Sequence, residues 1–318
     1  MLFITNRAPK GSFNTKINQP FEFDLDNNAP ANSVYFCKRN CEDDYEEIGS
    51  QNLLALLKES SAQQVLLLIN GFSNLPEPDI FPRALALQEL FDQQSPNLVQ
   101  VVPLIWPCDN DLGIIKDYWD DQKSADASAP AFARVLQKFM AWRDSAPEDA
   151  PCLKRINVLA HSMGNRVLRE TLRWWDKYDM ADGVPLMFRN TFMVAADVVN
   201  ESLEKTESGA LISQASRNVS VYYASDDLAL RASKISNLKN KIASRRLGHS
   251  GPEDMDKVAT NVYAFDCDDF NNQYDMPKGH SYFLADQHGQ PGKVFSNICA
   301  ALEKGRVESQ SASRINVL

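Results

Sequence analysis

The stretch of this 318-residue chain best equipped for chemistry is residues 156–164, INVLAHSMG. An apolar run enters Ala160-His161-Ser162-Met163-Gly164, and a helical pattern begins at once, with Met163, Val167, Leu168, Leu172 and Trp175 on one face. A serine held in a sharp turn between strand and helix has its Oγ lifted clear of the sheet. It also sits at a helix N-terminus, whose dipole favours developing negative charge. Such a turn crowds the residues two before and two after the serine, so both must be small, as Ala160 and Gly164 are. The chemistry that fits is nucleophilic attack by Ser162. The plain alternative is a serine that caps a helix. The strand before, the helix after and the partners downstream favour the nucleophile.

A serine nucleophile needs a base, an acid to orient the base, and donors for an oxyanion. Three histidines follow Ser162. His249 lies in a charged loop ahead of the last expected strand, and His288 in the turn-like His288-Gly289-Gln290-Pro291-Gly292. His280 lies beyond the strand pattern at 262–265, with Gly279 beside it for close approach, where the base belongs. For the acid, the strand pattern at 219–223 ends in Ala224-Ser225-Asp226-Asp227, just ahead of a helical pattern. One carboxylate would hold His280 and the other would cap the helix; spacing does not separate them. Asp197, one strand earlier, is a third candidate. The oxyanion donors expected are the backbone N–H of Met163 and that of Phe72, in the loop Asn70-Gly71-Phe72-Ser73 after an apolar strand.

These residues need a scaffold, and the hydrophobic pattern supplies one. Residues 65–69 (VLLLI), 99–106, 156–160, 191–196, 219–223 and 262–265 are apolar runs of the kind buried on both faces of a parallel sheet. Helical stretches are expected near 79–94, 124–143, 163–178, 201–214, 228–243 and 293–304. Their alternation predicts βαβ units. Residues 3–5 and 34–36 read as early strands joined through loops around Asn27-Asn28. One domain is expected over 1–304, with 108–121 as a pocket-shaping insertion and 305–318 as a loose tail.

Composition narrows the partners. The chain has 33 Lys+Arg against 42 Asp+Glu, a formal charge of −9, which argues against a nucleic-acid binder. Six scattered cysteines make no disulfide framework, and Cys37 and Cys41 lack a second ligand pair for zinc. The N-terminal apolar run is too short for a secretory leader, and no run approaches a membrane span. A cytoplasmic protein is expected, with no metal and no cofactor. No heptad or apolar stripe speaks to its oligomeric state.

Taken in order, the motifs resemble the α/β-hydrolase superfamily and, within it, bacterial esterase- or lipase-like proteins of the DUF900 type. Phe3-Ile4-Thr5-Asn6-Arg7 is similar to that family's opening, and Asn70-Gly71-Phe72 to its H-G-F-N oxyanion segment. Trp106-Pro107, and Tyr118 through Asp121 to Ser124-Ala125, resemble its S-W-P and Y-x-x-D-x-x-S-A stretch. Ala160-His161-Ser162-Met163-Gly164-Asn165 is similar to its elbow, Asp227-Leu228-Ala229-Leu230 to its acid motif, and Gly279-His280-Ser281-Tyr282 to its late histidine. The resemblance implies an α/β-hydrolase fold, a mainly parallel sheet with helices on both faces, and selects Asp227 as the acid. Asn70 departs from it, standing where the family usually has His.

The function expected is a serine hydrolase that cleaves carboxylic esters through an acyl-enzyme, using Ser162, His280 and Asp227 on a small ester or acyl substrate. Two other readings are an acyltransferase, in which an alcohol or amine resolves the acyl-enzyme, and a non-catalytic binding protein on the same fold.

Overall fold

The computed structural model describes residues 1–11, 17–108, 114–145, 152–178, 183–230, 245–275 and 278–318; of 114–116 it describes the backbone alone. Among the described residues eleven strands form one sheet in the order β11-β10-β9-β8-β7-β5-β6-β1-β3-β4-β2, with β11 at Ile315–Val317. At the centre of its parallel part lie β5 (Gln64–Ile69), β6 (Val99–Ile105), β7 (Arg155–His161), β8 (Phe188–Val194), β9 (Ser216–Tyr223) and β10 (Val262–Asp266). β1 (Leu2–Arg7) pairs parallel with β6 and antiparallel with β3 (Pro30–Cys41). β4 (Asp44–Glu47) and β2 (Gln19–Phe21) extend that antiparallel edge.

The continuous apolar runs follow from burial on both faces. In β5, Val65, Leu67 and Ile69 point into one core, with Leu53 and Leu57 of α1 (Gly49–Glu59) and Phe132, Leu136 and Phe139 of α3 (Ile114–Asp144). Leu66 and Leu68 point into the other, with Leu87 and Phe91 of α2 (Phe81–Gln94) and with Phe295 and Ile298 from the helix Lys293–Lys304. A smaller aromatic core, including Phe3, Phe21, Phe23, Tyr35, Tyr45 and Phe81, fastens the antiparallel edge to the start of α2.

A row of amides crosses the end of the sheet opposite Ser162. Asn157 donates to Gln64 Oε1 (3.1 Å), Asn190 to Asn157 Oδ1 (2.9 Å) and Asn218 to Asn190 Oδ1 (2.9 Å). All four side chains are buried, so any slip in strand register would leave buried amides unpaired, which is costly.

Several expectations are corrected. Helix α1 went unread, because its apolar Leu53, Leu54 and Leu57 make a short stripe. The helix expected from 124 begins at Ile114, so the second half of the expected 108–121 insertion is the first two turns of α3; 109–113 lie outside the described residues. The helix expected over 201–214 shrinks to α5 (Ala210–Ala215), with turns before it. Most of the helix expected over 228–243 lies outside the described residues. The segment expected as a loose tail ends in β11 (Ile315–Val317), which pairs parallel with β10 through backbone hydrogen bonds that need no apolar periodicity.

Candidate functional site

The parallel strands all end on one side, where α/β proteins place their sites because the loops there converge. β7 lies beside β5, with Ala160 paired to Ile69, so the loop after β5 and the turn after β7 meet. Ser162 has φ 54°, the left-handed strain of a forced turn. Its N–H donates to Val194 O (3.0 Å), and its carbonyl accepts from the N–H groups of Asn165 and Asp197 (both 3.1 Å). The Asn165 side chain donates to Ala160 O (2.9 Å) and Ser162 O (3.1 Å), bridging the turn from inside. A Cβ on Gly164 would stand 2.5 Å from Ile69 O and 2.7 Å from Asn70 O. Glycine at this position is therefore a packing requirement.

His280 Nδ1 lies 2.6 Å from Asp227 Oδ2, and Asp227 is fully buried. The other carboxylate oxygen of Asp227 accepts from Leu230 N–H (3.0 Å), so one residue both faces the histidine and holds the following turn. Asp226 instead accepts from the Asn272 amide. Asp197 is buried in an ion pair with Arg246 (3.2 Å). Of the three acids left open by spacing, Asp227 is the one at His280. The histidine loop is fixed by Asp275, whose Oδ2 accepts from the N–H groups of His280 (3.1 Å) and Ser281 (2.9 Å). Gly279 has φ 61°, and a Cβ there would strike the side chains of Asn271 and Asn272. His249 sits in the short helix Leu247–Ser250, and His288 is exposed.

The loop after β5 runs against the serine: a Cβ on Gly71 would meet Ser162 Oγ at 3.5 Å. Four contacts brace this loop, which carries Phe72. Trp106 Nε1 donates to Asn70 O (2.9 Å), Asn70 Nδ2 to Gly71 O (2.9 Å) and Ser73 N–H to Asp121 Oδ2 (2.9 Å). The Cys108 thiol donates to Asn74 O (3.1 Å), and burial pushes its pKa well up, so it stays a donor. Asn70 thus ties the loop to itself through its amide. Arg7, fully buried, holds the neighbouring backbone at Asp24, Leu25 and Cys108. Met163, the other expected oxyanion donor, is fully buried behind Ser162.

Sequence reading passed over His161. Its Nε2 lies 3.2 Å from His280 O, and its ring centroid 4.7 Å from that of His280. Burial, then the charges of His280 and Arg83, hold its pKa well below the usual 6.5. The neutral ring donates from Nε2. The sign of the resulting pH effect is fixed: below pH 6.5 an unfolded imidazole binds a proton that the folded one refuses. Stability is complete above 6.5 and falls as pH drops toward the folded pKa, by at most about 1.4 kcal/mol per pH unit from this group. Melting curves between pH 8 and 5 should show a shallower acid loss in His161→Gln than in wild type; identical slopes would refute the assignment.

Ser162, His161 and His280 line a cavity of about 400 Å³ together with Phe72, Tyr118 and Leu228. Arg83, Asp79, Asp275 and Lys278 also line it; none was singled out from the sequence, where a charged residue near a helix start or in a loop is ordinary. Among the described residues, no group of three or more His, Cys, Asp or Glu stands where it could hold a metal ion, and no helix is long and apolar enough to cross a membrane.

Two structures of phospholipase PlaB from Legionella pneumophila, one in complex with thio-NAD, are 14% and 15% identical, with TM-scores of 0.29 and 0.26. They match 65% and 64% of this chain, which spans 39% and 37% of theirs, well under half the length of that phospholipase. No curated protein matches. A family model described as an alpha/beta hydrolase of unknown function (DUF900) matches residues 46–288, from β4 through the candidate serine, acid and histidine. With most of its length in that match and one mostly parallel sheet carrying the site, the chain belongs to the DUF900 family of alpha/beta hydrolases.

Proposed function

We propose that this hydrolase cleaves carboxylic esters by an acyl-enzyme route, with Ser162 as nucleophile, His280 as base and Asp227 as orienting acid. The observation that carries the reading is the 2.6 Å contact between a fully buried Asp227 and Nδ1 of His280, beside a serine strained to φ 54° in the same cavity. With Nδ1 held by the carboxylate, Nε2 is the free nitrogen, as a base acting on a serine hydroxyl requires. The Ser162 oxygen bonds to the ester carbonyl carbon, its proton passes to His280, and the oxyanion meets the N–H groups of Phe72 and Met163. Collapse breaks the bond to the alkoxy oxygen, which leaves as the alcohol with the proton from His280. Water, deprotonated by the same imidazole, then releases the acid and restores the serine.

The test is labelling of intact protein by a fluorophosphonate, read by mass. One adduct is expected on wild type, none on Ser162→Ala, and a much slower one on His280→Ala. Absence of an adduct on folded wild type would overturn the reading.

A further inference from the structure

The cavity that holds Ser162 is also lined by a cation, Arg83, that makes no direct ion pair among the described residues. Arg83 projects from the first turn of α2, and its Nη1 donates to Asn74 Oδ1 (2.8 Å). Among the described residues no carboxylate lies within 4 Å of its guanidinium, although arginines elsewhere pair at 2.7–3.2 Å (Arg39 with Glu77, Arg166 with Asp126, Arg246 with Asp197). The two acids facing it act on it from beyond ion-pair distance; Asp79 Oδ2 accepts from Leu75 N–H (2.9 Å), and Asp275 Oδ2 from the N–H groups of His280 and Ser281. Their attraction does not make good the water Arg83 has lost, because burial outweighs it and draws the guanidinium below its ordinary pKa. Its charge also reaches the far wall, where it opposes protonation of His161. Lys278, exposed and likewise without an ion pair among the described residues, lines the same cavity. The apolar part of the wall is Phe72, Tyr118 and Leu228.

A partly buried guanidinium that makes no direct ion pair is stabilised when a ligand supplies an anion, and its planar fork matches carboxylate or phosphate oxygens. We propose that the substrate is an ester carrying an anionic group, phosphate or carboxylate, and that Arg83, assisted by Lys278, binds that group while Ser162 attacks the ester carbonyl. The scissile step is the one already written; the anion is a handle and takes no part in bond making. The inference rests on the ester-hydrolase reading for its catalytic half, and its binding half stands apart.

The experiment pairs charged with neutral esters: butyrylglycerol phosphate against butyrylglycerol, and p-nitrophenyl hemisuccinate against its methyl ester. Wild type should favour the charged member of at least one pair by about tenfold or more in kcat/KM, a typical margin for one charge-assisted contact. The pair with the larger ratio tells phosphate from carboxylate. In Arg83→Gln the ratio should fall to about one, chiefly through KM, and Arg83→Lys, which keeps charge without the fork, should recover part of it. A ratio near one in wild type, or one undisturbed in Arg83→Gln, would overturn the proposal. Orthophosphate and succinate at constant ionic strength provide a second readout, because they should raise the melting temperature of wild type and not of Arg83→Gln. Stabilisation of that kind in a protein that fluorophosphonate fails to label would sink the ester-hydrolase reading and leave the anion site standing. Labelling without stabilisation or charge preference would do the reverse.

Discussion

Asp227→Asn is expected to lower kcat on p-nitrophenyl butyrate by about 10⁴-fold, with a much smaller change in KM. The carboxylate accepts a hydrogen bond from His280 Nδ1–H and, in the proposed mechanism, would favour the imidazolium formed as Ser162 attacks. An amide at the same place offers its NH₂ to Nδ1 as readily as its oxygen, and the tautomer so favoured carries its proton on Nε2, where a base needs a lone pair. Asn also loses the full charge that would balance the imidazolium, at a position that is fully buried, where charge interactions are strong. Leu230 N–H can still be accepted by the amide oxygen, so the fold should survive, which circular dichroism would verify. Asp226→Asn is the companion variant: its carboxylate meets Asn272 and not the histidine, and its loss of kcat should be far smaller. Equal losses in the two variants, or a larger one in Asp226→Asn, would remove Asp227 from the role.

Gly164→Ala should destabilise the protein by about 2–3 kcal/mol, as overpacking of a tight interior does, and reduce turnover at the same time. The added Cβ meets two backbone oxygens, Ile69 O at 2.5 Å and Asn70 O at 2.7 Å, and backbone cannot rotate aside as a side chain would. To make room, α4 (Gly164–Tyr178) must draw back from the end of β5. That motion separates Ser162 from Gly71 and Phe72, so the nucleophile and one expected oxyanion donor shift together. Denaturant unfolding and kcat measured on one preparation would check both halves. A variant with the wild-type unfolding midpoint would contradict the close approach of the turn to β5.

The site was legible in the sequence where local geometry alone dictates residue type. Ala160 and Gly164 around Ser162 are such a case, since only small residues fit that turn whatever the rest of the chain does. The sheet was legible for a similar reason: runs such as 65–69 must be apolar throughout when both faces are covered, and β5 is buried from end to end. The histidine could be chosen by chain order, because the fold presents its strand ends in sequence. Elements with weak or local patterns were not legible. Helix α1, the early start of α3 and the pairing of β11 with β10 depend on backbone hydrogen bonds and on neighbours distant in sequence.

Which acid meets His280 illustrates the division. By spacing, Asp226 and Asp227 were inseparable, because adjacent residues at a strand end differ only in the direction each side chain takes, and Asp197 was the runner-up; resemblance to a family chose Asp227, and the fold turns it inward to the histidine while sending Asp226 to Asn272 and Asp197 to Arg246. His161 and Arg83 carry no signature at all, since a charge pattern along the chain does not reveal which groups lose water on folding. By itself the sequence picked out the candidate residue types and the sheet that carries them, because those follow from sterics and burial within a few residues. The tertiary structure brings Asp227 to His280, and it alone decided that the histidine beside the serine is kept neutral and that Arg83 lines the cavity without a direct ion pair among the described residues. Each of these depends on distances between segments that the chain order leaves free.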